Sequence, residues 1–145
     1  MNAQNYDIEI ISAPSILGLT PGGVERLAES LLDAGLAEQV RSKHPVVHVP
    51  TLNQLYNIER DPGTGCLNPG AIRQFSLALG EAVLHTANRP CFALVLGGDC
   101  SILPGILQGL KEKGTYGLIF IDAHADFYQP EHRLPASWPI WIWPL

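Results

Sequence analysis

The chain has 145 residues, a formal charge of −5 at pH 7, 46% apolar residues and 16% charged ones. That core-rich balance excludes a disordered segment and suffices for one ordinary domain. The acidic balance and the absence of a Lys/Arg cluster argue against a nucleic-acid partner, and no run of about 18 apolar residues is present to cross a membrane.

Residues 8–13 read as a short strand stopped by Pro14, and the glycines and prolines of 18–23 make a loop. Val24, Leu27, Leu31, Leu32, Leu36 and Val40 recur at helical spacing, which predicts a helix over 24–40 with a break near Gly35. Residues 46–49 form a candidate strand between Pro45 and Pro50. The stretch 51–68 is poorly patterned and contains a turn at Asp61-Pro62-Gly63-Thr64-Gly65. Asn68 is placed to cap, and Pro69 to start, an amphipathic helix over 71–85 carrying Ile72, Phe75, Leu79 and Val83. A buried strand is predicted over 92–96. A helix over 104–110, entered through Ser101 with Pro104 in its first turn, comes next, then a second buried strand over 118–121.

Strand and helix alternate throughout, and the strands are nearly continuous apolar runs. Such runs favour a mostly parallel sheet covered on both faces. The fold class expected is α/β, a three-layer α/β/α arrangement. Residues 1–132 form its body and 133–145 an atypical tail. That tail holds three prolines and all three tryptophans, an abrupt shift of the kind a frameshift or premature stop produces. Packed, it would cover a face or join a partner; exposed, it would be adhesive.

The chemistry concentrates where apolar runs end. After 118–121 come Asp122, His124 and Asp126, spaced by two, so that extended backbone turns all three to one side. Two carboxylates and an imidazole on one face are costly unless a cation or a dense hydrogen-bond network satisfies them, and a divalent metal is the simplest solution. A second cluster, Gly97-Gly98-Asp99-Cys100-Ser101, follows the run 91–96 in the same manner. Two polar strand ends suit a cleft at the carboxyl edge of a parallel sheet.

These segments resemble the arginase/agmatinase (ureohydrolase) family. Gly97 to Ser101 is similar to its Gly-Gly-Asp-His-Ser hallmark, and Asp122 to Asp126 matches its Asp-Ala-His-x-Asp segment. Ile11-Ser12-Ala13-Pro14 and Gly22-Gly23-Val24 look like its opening strand and loop. The resemblance implies a hydrolase of guanidino or amidino C–N bonds that releases urea with two Mn2+ ions. It implies Asp122 as the bridging ligand, His124 on one ion, and Asp126 on the other while holding the attacking hydroxide. Cys100 stands where the family has a histidine ligand; a thiolate is softer and would favour Zn2+ or Fe2+. The family's later Asp-x-Asp segment and a further acid near its end have no counterpart. Asp126 is the last aspartate and Glu131 the only acid after it. As a single chain it is therefore expected to be a poor ureohydrolase unless another protomer supplies the missing half. The partners expected are a small guanidino or amidino substrate and further copies of the chain, with neither nucleic acid nor membrane.

Blander readings stand beside these. The aspartates can cap the following segment while His124 makes an ordinary hydrogen bond. Cys100 can be a buried cysteine, a metal ligand, or a nucleophile paired with His124. A single-zinc hydrolase through Cys100, Asp122 and His124 is a further reading, and a non-catalytic remnant or assembly module is the main competitor. Asp99 and Ser101 suit a turn anchor, and Gly97 and Gly98 suit close backbone approach. His44 and His48 read as edge histidines, and His85 as a helix-end residue meeting unpaired carbonyls. Cys66, Cys91 and Cys100 are odd in number with no short paired spacing, and residues 1–16 lack a secretory pattern. A cytoplasmic protein is the expectation.

Overall fold

The computed structural model describes residues 6–51, 56–111 and 113–122. The chain divides into two compact units, Met1–Gly114 and Thr115–Leu145. The first unit runs β1 (Asp7–Ala13), α1 (Leu27–Asp33), α2 (Leu36–Gln39), β2 (Val47–His48), α3 (Pro69–Ala87), β3 (Cys91–Gly97) and α4 (Leu103–Leu110). Single 3-10 turns at Val24–Arg26 and Cys100–Ile102 lead into α1 and α4.

β1 lies between β2 and β3, and both pairings are parallel. Its register with β3 runs from Asp7↔Cys91 to Ala13↔Gly97, so the two strands enter and leave the sheet side by side. Successive side chains alternate between faces. Ile11 and Ala13 pack with Phe75, Leu79 and Val83 of α3 and Ile106 of α4, whereas Ile10 packs with Leu96 and Ala28 against α1 and α2. Helices thus cover both faces of a parallel sheet, the expected α/β/α layering. The predicted helix over 24–40 does break at Gly35, whose φ of 83° lies in the left-handed region that glycine enters without penalty.

Three expectations need correction. Asn68 occupies the N-cap position of α3 but makes no side-chain cap. Its carboxamide instead accepts a hydrogen bond from Asn57 N at 2.7 Å and donates one to the Leu17 carbonyl at 3.0 Å. Held at φ 45°, it points away from the helix and ties two loops together.

β3 forms as predicted but is less buried: only Leu96 is fully inside, and Phe92 is 50% exposed. Among the described residues β3 pairs only with β1, which leaves less covering its outer side.

The predicted strand over 118–121 is absent. Residues 115–122 form no regular element, and Ile121 is 92% exposed. An apolar run states a preference for burial, but a strand exists only through a neighbour's backbone groups. Among the described residues no ladder includes 118–121. The Trp/Pro-rich stretch 133–145 lies outside the described residues.

Candidate functional site

The exits of β1 and β3 meet at the carboxyl edge of the sheet. Because Ala13 and Gly97 are register partners, the loop after Pro14 and the turn after Gly97 begin as neighbours. Backbone bonds join them first: Gly98 N donates to the Ala13 carbonyl at 3.3 Å and Asp99 N to the Ser15 carbonyl at 3.0 Å. The approach is so close that a Cβ at Gly98 would lie 1.8 Å from Ser15 O. Only glycine fits there.

Side chains then lock the two loops. Asp99 is 3% exposed, yet both its oxygens are satisfied. Gly18 N donates to Oδ2, and the Ser101 hydroxyl donates to Oδ1 at 2.5 Å. Ser101 Oγ and Ser15 Oγ share a hydrogen bond at 3.0 Å, and Leu17 N donates to Ser15 Oγ at 3.3 Å. A buried carboxylate is tolerable only with such donors. Tyr56 closes the outer side by donating to the Leu19 carbonyl. Burial, and secondarily the charge of Asp99, raise the Tyr56 phenol above its ordinary range, which keeps it a donor.

The motif's polar residues therefore divide between two tasks. Asp99 and Ser101 hold the loops together, as the turn-anchor reading anticipates. Cys100, between them, is half-buried as the first residue of the 3-10 turn entering α4. Asp122 belongs to the second unit and is exposed. His124 and Asp126 lie outside the described residues. Among the described residues, no group of three or more His, Cys, Asp or Glu side chains is placed to hold a metal ion. Cys100 offers sulfur at this edge, where a hard ion such as manganese prefers nitrogen or oxygen.

The residues that the motif reading did not single out are Ser15, Gly18, Tyr56 and Asn68. Pro14 and the glycines of 18–23 marked the loop in sequence, but nothing local marked Asp99 as its partner.

Comparison with known proteins agrees with this geometry. The arginase family model matches residues 10–142. Arginase-1 of Homo sapiens is 32% identical over 132 residues, covering 90% of this chain and 41% of that protein. Arginase of Neurospora crassa is 29% identical, covering 93% of this chain and 43% of its own length. The crystal structure of arginase from Bacillus subtilis superposes with a TM-score of 0.64 at 26% identity, covering 90% of this chain and 42% of that one. The chain spans about two-fifths of the length of the relatives it matches. With its parallel sheet, its paired strand exits and a family match over nearly its whole length, the chain belongs to the arginase family.

Proposed function

We propose that this chain, on its own, is a non-catalytic arginase-family module that preserves the sheet edge on which the family's site is built. The observation that carries the reading is Cys100, which puts a thiol where the family has its histidine ligand, while Asp99 and Ser101 on either side of it serve as a latch between two loops. The absence, among the described residues, of any group of three or more His, Cys, Asp or Glu side chains placed to hold a metal ion supports it.

Ureohydrolase chemistry is proposed for an assembly that supplies the missing carboxylates, for which further copies of this chain are the expected source. In that assembly Cys100, Asp122, His124 and Asp126 would be the chain's donors, Asp126 would hold the attacking water, and a guanidino or amidino compound would be the substrate. A bound metal pair would supply activated water, and the sulfur of Cys100 would draw the metal preference toward Zn2+ or Fe2+. A cytoplasmic setting goes with the proposal, supported by the lack of disulfides among the three cysteines. Among the described residues no helix is long and apolar enough to cross a membrane.

Native mass spectra of the purified chain, with manganese, zinc and iron supplied separately, test both statements beside a urea-release assay on arginine and agmatine. The module reading expects no specific metal and no urea. Two metals per site, lost in Asp122→Asn together with urea release, would overturn it in favour of the composite enzyme.

A further inference from the structure

The amino ends of β1 and β3, away from the loop exits, carry a second cluster of titratable groups. Asp7 and Cys91 are register partners there. Lys43 Nζ donates to Asp7 Oδ1 at 2.7 Å. Glu9, two residues on, is buried and accepts from Thr86 Oγ1 and Arg89 Nη2. Arg89 Nη2 also lies 3.4 Å from His85 Nδ1, so His85 meets a guanidinium rather than the helix-end carbonyls expected of it. Within this cluster Cys91 Sγ lies 3.7 Å from His44 Nε2.

Cys66 makes the informative contrast. Its Sγ donates to the Thr64 carbonyl, also at 3.7 Å. Both thiols are half-buried, so exposure does not separate them. Their partners do. A carbonyl oxygen only accepts, and holds the proton on sulfur; an unprotonated imidazole nitrogen can take that proton away.

We propose that Cys91, with His44 as its base, is a nucleophilic thiol and a site of covalent modification by soft carbon electrophiles. The sulfur lone pair forms an S–C bond, the thiol proton passes to His44 Nε2, and the leaving group departs with the electrons of the bond it breaks. For iodoacetamide the broken bond is C–I, and iodide leaves. The surroundings favour charge separation in that step. Arg89 is held above its ordinary pKa, first by its hydrogen bond to Glu9 and in smaller part by the charge on Cys91. Its Nε is buried with no hydrogen-bond partner among the described residues, an N–H donor in a cluster that gains an anion. A protonated His44 is in turn favourable to Asp7 and Glu9, whose carboxyls its charge helps to hold low. The groups that shape the pH response are therefore Asp7 and Glu9 on β1, Lys43 and His44 before β2, His85 on α3, and Arg89 after it.

The test is iodoacetamide labelling of the full native chain at limiting reagent, with rates for each cysteine from peptide mass spectrometry across mildly acidic to mildly alkaline pH. Cys91 is expected to react about tenfold faster than Cys66 at neutral pH, because only Cys91 has an imidazole base within reach. His44→Asn should bring the Cys91 rate down to that of Cys66 and leave Cys66 unchanged; His48→Asn should change neither. Equal wild-type rates and pH profiles for Cys91 and Cys66 would overturn the proposal, as would a Cys91 rate unmoved in a folded His44→Asn. If His44→Asn unfolds, seen as faster labelling of Cys66 as well, the wild-type ranking and pH profile decide alone.

Discussion

Among the described residues, each end of the sheet buries one carboxylate, and the two are satisfied in different ways. At the loop exits Asp99 receives a backbone N–H and a hydroxyl, both uncharged donors. At the amino end Glu9, 4% exposed, receives a hydroxyl and the guanidinium of Arg89. The first arrangement binds two loops that neighbour each other only because β1 and β3 are paired. The second anchors the start of the sheet to the end of α3 through a charge pair. Asp99 is thus a geometric device, dependent on close backbone approach, whereas Glu9 is an electrostatic one, dependent on a countercharge and on pH. The family's motif sits at the geometric end.

Gly98→Ala is the sharpest way to break the geometric end. A methyl group placed 1.8 Å from Ser15 O and 2.6 Å from Ser15 N meets backbone on both counts, and backbone cannot rotate aside. The loops must separate, and with them the bonds of Asp99. We expect a loss of about 3 kcal/mol or more in urea denaturation, enough to leave a marginal domain largely unfolded. Gly70→Ala is the control. It lies in the first turn of α3, and an added Cβ meets nothing within 4 Å, so stability should stay the same or rise by about 0.5 kcal/mol. Equal losses in the two variants would mean that the Gly98 contact is not what holds the exits together.

The electrostatic end is probed with Arg89→Ala. Stripping the cation from a fully buried pair costs about 3–5 kcal/mol, because the remaining charge is uncompensated. Arg89 keeps 33% of its side chain in water, so we expect a clear loss in urea denaturation that is smaller than for a fully buried pair. Its pH signature separates it from the Gly98 effect. Burial raises the Glu9 pKa, but hydrogen bonds from Arg89 and Thr86 outweigh burial and leave it below its ordinary value. A carboxyl depressed in the folded state binds fewer protons there than in the unfolded chain. The stability it contributes is full above the ordinary glutamate range, about pH 4.3, and is lost as pH falls through the folded value. Asp7, lowered chiefly by its hydrogen bond with Lys43, and Asp61, lowered chiefly by Thr64, titrate in the same direction. The share of Glu9 is therefore read as a difference. Glu9→Gln should flatten the acid limb of the stability curve relative to wild type, and an unchanged slope would count against the pair.

Much of this contrast was legible in the chain, but unevenly. The short apolar run of β1, the amphipathic face of α3 and the break at Gly35 are local signals, and they appear in the structure where the sequence places them. The motif Gly97 to Ser101 was legible as a strand exit, and its glycine pair as a place of close approach. Its partner was not. Ser15 and Gly18 reach Asp99 only through the parallel β1–β3 pairing, and Tyr56 and Asn68 tie down the same β1 exit loop at Leu19 and Leu17, all long-range facts without local trace. Glu9 is harder still. A glutamate near a strand's start reads as solvent-facing until Arg89, far along the chain, turns out to lie across from it. The opposite error occurred over 118–121, where a strongly apolar run suggested a strand but no ladder includes it among the described residues. Composition predicts what a segment would prefer, and only the neighbours decide whether that preference is met.

Asp99→Asn tests the geometric reading most finely, because it removes the charge and almost nothing else. The new carboxamide can turn its oxygen toward Gly18 N and preserve that bond. Its NH2 then faces Ser101, whose hydroxyl can accept there and donate instead to Ser15 Oγ 3.0 Å away. Every buried polar group keeps a partner after the hydroxyls reverse. The cost should thus be small, about 1 kcal/mol in urea denaturation, against about 3 kcal/mol for Asp99→Ala, which orphans both donors. The reversal depends on Ser15, so Ser15→Ala should cost more in the Asn background than in wild type, and a double-mutant cycle reads that excess directly. If Asp99→Asn proved as damaging as Asp99→Ala, the negative charge itself would be what this edge requires. The latch would then share the electrostatic logic of Glu9, and a cation would be the natural partner to seek beside it.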